Sequence, residues 1–236
     1  MARTKASPSA QASFRALLMG KITAITYEQE IILDKFRDDF FLSANFYFSG
    51  GTALSLYYLR HRQSIDLDFF SESTFDPQTI LNRVSLWAES LNVSVGYVPI
   101  EDTHVFNLRF PNKQTVKVDF AYYPYKQIEK SLPVKNINVD SMLDIAVNKM
   151  LAVQQRTEVK DFVDLYFLLQ KFSTWDLIEG VRVKFKVELE PFVAGSDFLK
   201  AEGFDFLPKM IKPLKLDLLK AFFKKQAKIL GGASLE

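Results

Sequence analysis

Phe48-Ser49-Gly50-Gly51-Thr52-Ala53-Leu54, followed by His61-Arg62-Gln63-Ser64-Ile65-Asp66-Leu67-Asp68-Phe69-Phe70, sets a small-residue turn shortly ahead of two alternating carboxylates. Tyr47 and Phe48 end a short apolar run, Ser49-Gly50-Gly51 forms a turn without bulky Cβ atoms, and Thr52 to Arg60 has a helical composition. A strand turning through glycines into a helix start leaves unpaired N–H groups and the positive end of the helix dipole aimed at one spot. Such a spot suits phosphate. Taken alone, Gly-Gly ahead of a helix also reads as a plain tight turn.

The second half of the stretch adds chemistry. Ile65, Leu67 and Phe69 alternate with Asp66 and Asp68, and a period of two puts both aspartates on one face of a strand. Aspartate is a poor strand former, and like charges side by side repel. The plain alternative is an edge strand with a solvated acidic face. The flanking Ile, Leu, Phe and Phe argue for burial on at least one side, where unpaired carboxylates cost several kcal/mol unless a cation or hydrogen bonds satisfy them. An oxygen-only pair of this kind suits Mg²⁺ or Mn²⁺, with substrate phosphates completing the shell. A third carboxylate is available in Thr115-Val116-Lys117-Val118-Asp119-Phe120, where Val116, Val118 and Phe120 face one way and Lys117 and Asp119 the other. Asp119 reads either as that third ligand or as a surface charge beside Lys117.

Ser49-Gly50-Gly51-Thr52-Ala53-Leu54, His61-Arg62 and Ser64-x-Asp66-Leu67-Asp68-Phe69-Phe70 together resemble the signature of the AbiEii/AbiGii-type nucleotidyltransferases. These are toxins of bacterial abortive-infection systems within the polymerase-β-like superfamily. Asp144-Ile145-Ala146 leading to Lys149, then Arg156, then Lys160-Asp161-Phe162-Val163-Asp164 through Leu168, is similar to that family's later motifs, and the resemblance covers roughly 45–170. It implies that Ser49, Gly50, Gly51 and Thr52 bind nucleotide phosphates, that Asp66 and Asp68 hold metal, and that Lys149 and Asp161 are further catalytic residues. Asp119 would be the third carboxylate and metal ligand, resting more on strand geometry than on motif. Arg62 is assigned to neutralising phosphate charge and Ser64 to a hydrogen bond near the turn.

The activity implied is NMP transfer from an NTP to an acceptor hydroxyl, with the tRNA 3′ end as acceptor and an antitoxin protein as partner. Two alternatives stand beside it: a transferase for small molecules of the antibiotic type, and a nucleotide-binding module that acts through a partner without turnover.

The 236 residues suffice for a sizeable core, and 22 Phe imply that aromatic rings fill much of it. With no cysteine, disulfides, thiolate zinc sites and a cysteine nucleophile are excluded. His61 and His104 are the only histidines, which speaks against histidine metal sites and a Ser-His-Asp triad, and His104 reads as a core or edge residue. No apolar run approaches membrane-spanning length, and the start at Met1-Ala2-Arg3-Thr4-Lys5 lacks a secretory hydrophobic segment, so no membrane association and a cytoplasmic location are expected. Leu235-Glu236 reads as an appended remnant.

Net charge is +2, but Lys209, Lys212, Lys215, Lys220, Lys224, Lys225 and Lys228 face only Asp217 near the end. Leu216, Leu218, Leu219, Phe222 and Phe223 lie among them, a basic amphipathic helix starting after Pro213. It suits RNA phosphates, an acidic partner, or simple packing on the core with lysines in water.

The fold class expected is α+β: a polymerase-β-like core with a small mixed sheet and flanking helices, then a helical half. An N-terminal tail is expected over 1–20, the core over 21–135, and a helical domain completing the site over 136–236, with Pro133 in the linker. The pattern predicts a helix through Gln29 to Phe40 and one opening at Asp76-Pro77 with Leu81, Val84, Ala88 and Leu91 on one side. Strands are predicted near 93–98, 105–110 and 115–122, with a hairpin at Pro111-Asn112-Lys113. Ser141 with Asp144 is expected to form a capping box, and another helix to begin near Asp161.

Overall fold

Strands β1 (Tyr47–Ser49), β2 (Asp66–Ser71), β3 (Ser94–Ile100), β4 (Thr103–Arg109), β5 (Thr115–Tyr122), β6 (Leu132–Val134) and β7 (Ile137–Val139) form one mixed sheet in the order β3-β4-β5-β2-β1-β7-β6. β2 pairs parallel with β5 and β1 parallel with β7, while the remaining neighbours are antiparallel. The computed structural model describes residues 23–233. The tail expected over 1–20 and Leu235-Glu236 lie outside the described residues.

Alternation divides the sheet into two faces. Phe48, Leu67, Phe69, Phe106, Val118 and Phe120 are wholly buried on the apolar one. They meet α1 (Tyr27–Asp38) and α4 (Pro77–Leu91): the Phe36 ring stacks on Phe69 at 3.9 Å, and Trp87 packs on Phe120 at 6.4 Å. The opposite face carries Asp66, Asp68 and Phe70 from β2 with Lys117, Asp119 and Ala121 from β5.

Several local expectations are corrected. The predicted Gln29–Phe40 helix begins at Tyr27, because Thr26 and Gln29 make a capping box, and breaks at Asp39, whose extended backbone and side chain cap α2 (Phe40–Asn45). α3 (Gly50–Ala53) runs on into a wider π-helical stretch, Leu54–Leu59. Ile65 precedes β2 and is 67% exposed, so burial of that strand rests on Leu67 and Phe69. α4 turns Ile80, Val84, Trp87 and Ala88 inward and leaves Leu81 and Leu91 half-buried. Pro133 is not in a linker: it sits in the edge strand β6, where a missing N–H is tolerated. The division expected at 135/136 falls on the β6–β7 turn, where Lys135 and Asn136 both have positive φ.

The helical part comprises α5 (Met142–Gln155), α6 (Val159–Leu168), α7 (Thr174–Phe185), α8 (Pro191–Phe198) and α9 (Leu216–Ala233). Ser141 accepts from the Asp144 N–H, but no reciprocal capping box forms. The Asp144 carboxylate instead receives the Ile128 and Glu129 amides and the buried Lys184 ammonium. α9 buries Leu219, Phe223 and Leu230, with the Phe223 ring 5.1 Å from Phe162, while Lys224, Lys225 and Lys228 face solvent. A bridge between Arg62 and Met210 ties the segment ahead of α9 back to the approach to β2. Among the described residues no helix is long and apolar enough to cross a membrane.

Candidate active site

The register of three adjacent strands assembles the site. Asp68 lies opposite Asp119 across the parallel β2–β5 pair, Asp66 lies opposite Lys117, and Ser49 of β1 lies opposite Asp68. The strand period then puts the three carboxylates on one face. Past Ser49 the chain turns at Gly50, with φ +73°, and Gly50 lies so close to Asp68 that a Cβ there would overlap the carboxylate. A Cβ on Gly51 would likewise overlap the Arg62 guanidinium. Glycine at both positions lets the turn close onto the sheet.

The resulting cleft of about 310 Å³ has Ser49, Gly50 and Gly51 at the turn and Asp66, Asp68, Phe70, Lys117, Asp119 and Ala121 on the sheet side. α5, its C-cap Arg156 and the first turn of α6 supply the facing wall through Ile145, Asn148, Lys149, Ala152, Arg156 and Lys160. Burial, then the neighbouring Asp119 and Asp66 charges, push the Asp68 carboxyl up to about 6. Burial also raises Asp119, although Lys117 pairs with one of its oxygens. The other oxygen, Asp119 Oδ1, is buried without a partner. Lys160 Nζ stands 3.4 Å from Asp66.

Behind this wall lies a buried ion network. Asp164, fully buried, accepts from Arg62 Nε at 2.6 Å and Nη2 at 2.8 Å, pairs with Lys149 Nζ at 2.7 Å, and meets His61 Nε2 at 2.7 Å. Asp161 takes Lys149 at 2.6 Å and Arg156 at 2.6 Å. Its Lys149 and Arg156 partners hold Asp161 below the usual carboxylate range, and Arg62 and Lys149 hold Asp164 well below it, in both cases against burial. On the other side of the turn, Ser49 donates to Asp140 Oδ2 at 2.7 Å. Burial raises that carboxyl to about 6.

The carboxylates Asp66, Asp68 and Asp119 are an all-oxygen set, and the orphaned Asp119 Oδ1 together with the raised Asp68 fits a hard divalent cation. As arranged, Lys117 and Lys160 engage two of the three, and among the described residues no group of three or more acidic, His or Cys side chains is drawn together as a metal cage.

A family model described as nucleotidyl transferase AbiEii toxin, type IV toxin–antitoxin system, matches residues 31–228. The chain belongs to the AbiEii toxin family. An uncharacterised protein of Aquifex aeolicus is 36% identical over 141 residues, a match covering 57% of this chain and 62% of that relative's length. This AbiEii family chain shares its fold with a Helicobacter pylori protein provisionally assigned as a nucleotidyltransferase, at TM-score 0.58 and 20% identity over 88% of this chain and 96% of the other. MenT4, a nucleotidyltransferase toxin from Mycobacterium tuberculosis, superposes with TM-score 0.52 and 16% identity over 85% of this chain and 82% of its own. At these identities the likeness concerns the fold, a mixed sheet flanked by helices with a helical C-terminal part.

Within this family member, nine of the residues expected at the site line the cleft: Ser49, Gly50, Gly51, Arg62, Ser64, Asp66, Asp68, Asp119 and Lys149. Thr52 and Asp161 do not. Thr52 is wholly buried and donates its hydroxyl to the Asp66 carbonyl, bracing the helix start against β2. Asp161 is turned into the ion network. Arg62, expected to neutralise phosphate, is 3% exposed and committed to Asp164, so it supports Gly51 from beneath. Sequence reasoning left out Asp140, Asn148, Lys160 and Asp164 as site residues. Lys160 and Asp164 stand inside the later motif block, where the i, i+3 spacing of Asp161 and Asp164 is a further signal, whereas nothing local links Asp140 to a serine 91 positions earlier.

Proposed function

We propose that the chain transfers a nucleoside monophosphate from an NTP to an acceptor hydroxyl, and that the acceptor is the 3′ end of tRNA, modified in the cytoplasm by the toxin of an antitoxin-controlled system. The observation carrying this reading is the in-register convergence of Asp68 with Asp119, beside Asp66 and against the Gly50 turn. In this reading the helical part completes the site, because α5 supplies the wall that bears Lys149.

Charge bookkeeping around the cleft favours a cation-accompanied substrate. Arg62, Lys117, Lys149, Arg156 and Lys160 are equalled in number by Asp66, Asp68, Asp119, Asp161 and Asp164, so among the described residues the cleft and the network behind it carry no surplus positive charge for a triphosphate. Mg²⁺ or Mn²⁺ held by Asp66, Asp68 and Asp119 would supply that countercharge and polarise the α-phosphate. The glycine turn lets phosphate oxygens approach the backbone. Lys149 and Lys160 reach the same space from the opposite wall. Asp119 Oδ1, buried and without a partner, is the oxygen left to such a metal ion, because Lys117 takes the other oxygen of that carboxylate. The exposed lysines of α9 offer phosphate contacts for an RNA acceptor.

The test is label transfer from each α-labelled NTP to total cellular RNA with Mg²⁺. Label in tRNA-sized species supports the reading. Label only in a small hydroxylated acceptor would favour the antibiotic-type alternative, and NTP binding with no turnover on any acceptor would favour the binding module.

A further inference from the structure

Along the functional face the cleft changes character. Charges crowd the Asp66/Lys117 end, whereas two residues further along β2, past Asp68, the lining becomes aromatic and neutral. Phe70 lies opposite Ala121, and its ring stacks on Tyr123 at 4.8 Å with an interplanar angle of 27°. Both rings line the cleft and are only partly buried. Ala121 leaves open space beside them, and the wall across it carries Asn148, the neighbour of Lys149.

We propose that Phe70, Tyr123 and Asn148 form a nucleobase subsite, an inference that rests on the transferase reading above and names where the base sits and what reads it. A stacked aromatic pair offers a planar ring a face worth about 1–3 kcal/mol. An amide in reach of that ring reads the donors and acceptors on its edge. The Tyr123 hydroxyl lies 3.4 Å from Asn148 Oδ1. Burial raises its pKa, so it stays protonated and donates, which leaves Asn148 Nδ2 to face an acceptor on the base. The step from Asp68 to Phe70 is roughly 7 Å along the strand, the span of a ribose between a 5′-phosphate and its base. Phosphate chemistry at Asp68 therefore puts a base over Phe70.

The base belongs either to the incoming NTP or to the terminal nucleotide of the acceptor, and two arms separate these sources. In the first, calorimetry with Mg²⁺ measures binding of the four α,β-methylene NTPs and of inorganic tripolyphosphate to wild type, Phe70→Leu and Asn148→Ala, each checked for an unchanged melting temperature. If the NTP base occupies the subsite, wild type binds at least one analogue about tenfold more tightly than tripolyphosphate. Phe70→Leu then loses about tenfold for that analogue and none for tripolyphosphate, and Asn148→Ala narrows the spread among the four bases. In the second arm, KM for RNA rises in the same variants while every NTP affinity holds, which assigns the subsite to the acceptor. Equal weakening of NTP and tripolyphosphate would make these residues merely structural, and unchanged affinities together with unchanged RNA KM would equally overturn the inference. Wild type that binds neither NTP nor tripolyphosphate would instead remove the transferase reading, and the subsite with it.

Discussion

Gly50 and Asp68 are fitted to one another: the bare Cα of the turn lies against the carboxylate, at a φ of +73° that an L side chain rarely adopts. Gly50→Ala meets both obstacles at once, a left-handed backbone costing about 1–2 kcal/mol and a methyl overlapping a proposed metal ligand. Label transfer is expected to fall by at least about a hundredfold, as misplacement at a reacting centre does. Gly51→Ala presses on Arg62 rather than on a carboxylate, so its main effect is expected on melting temperature. Equal activity losses with equal melting temperatures in the two variants would contradict this division.

Asp68→Asn is expected to abolish transfer and yet stabilise the protein above pH 6. The Asp68 and Asp140 carboxyls are both raised from 3.8 to about 6, so across that interval the folded state holds protons that the unfolded chain has released. Stability contributed by such groups is present at the acidic end, declines as pH rises to about 6, and is flat beyond. Asp161 and Asp164 act in the opposite sense, because their lowered values make their contribution present above the ordinary carboxylate range and lost on acidification below it. At pH 7.5 the neutral amide at position 68 removes an unfavourable burial on the order of 1–3 kcal/mol, a rise of several degrees in melting temperature for a chain of this size. A variant that melts at or below wild type at pH 7.5 would show that the Asp68 charge is compensated.

Asp164 joins Arg62, Lys149 and His61 from inside the protein. Asp164→Ala leaves them buried without their shared anion and should destabilise by about 3–5 kcal/mol in urea unfolding. Adding Arg62→Met removes one stranded charge, so the double variant is expected to be more stable than the sum of the single losses. Strict additivity would mean that the two residues are not coupled.

The readable part of the site is the part governed by period. Asp66 and Asp68 alternate with the buried Leu67 and Phe69, so their common face follows from spacing alone, and Asp119 between Val118 and Phe120 shows the same alternation on its own strand. Their register is set by chain segments far apart in sequence and had no local sign. Thr52 shows the limit of motif transfer, since it adjoins the glycine turn, but its hydroxyl is consumed by the Asp66 carbonyl. β6 and β7 escaped notice because three-residue strands are too short to display alternation and Pro133 looks like punctuation. The ion network was hidden for a related reason: Asp164 and Arg62 stand 102 positions apart.

Lys149 is where a structural and a chemical role can be separated. Its ammonium is shared by Asp161 at 2.6 Å and Asp164 at 2.7 Å, and it also lines the cleft. Each aspartate has a second cationic partner, Arg156 for Asp161 and Arg62 for Asp164. Lys149→Met therefore strands neither carboxylate and preserves the volume of the aliphatic stem, so the fold should persist by circular dichroism with a loss of about 1–2 kcal/mol. The Asp164 and Asp161 charges hold the ammonium above its usual value despite burial, so wild type carries this charge throughout the assay range. If that charge faces a triphosphate, transfer by the methionine variant falls by orders of magnitude. Single-turnover transfer at the wild-type rate would make Lys149 a counter-ion for α6 and nothing more.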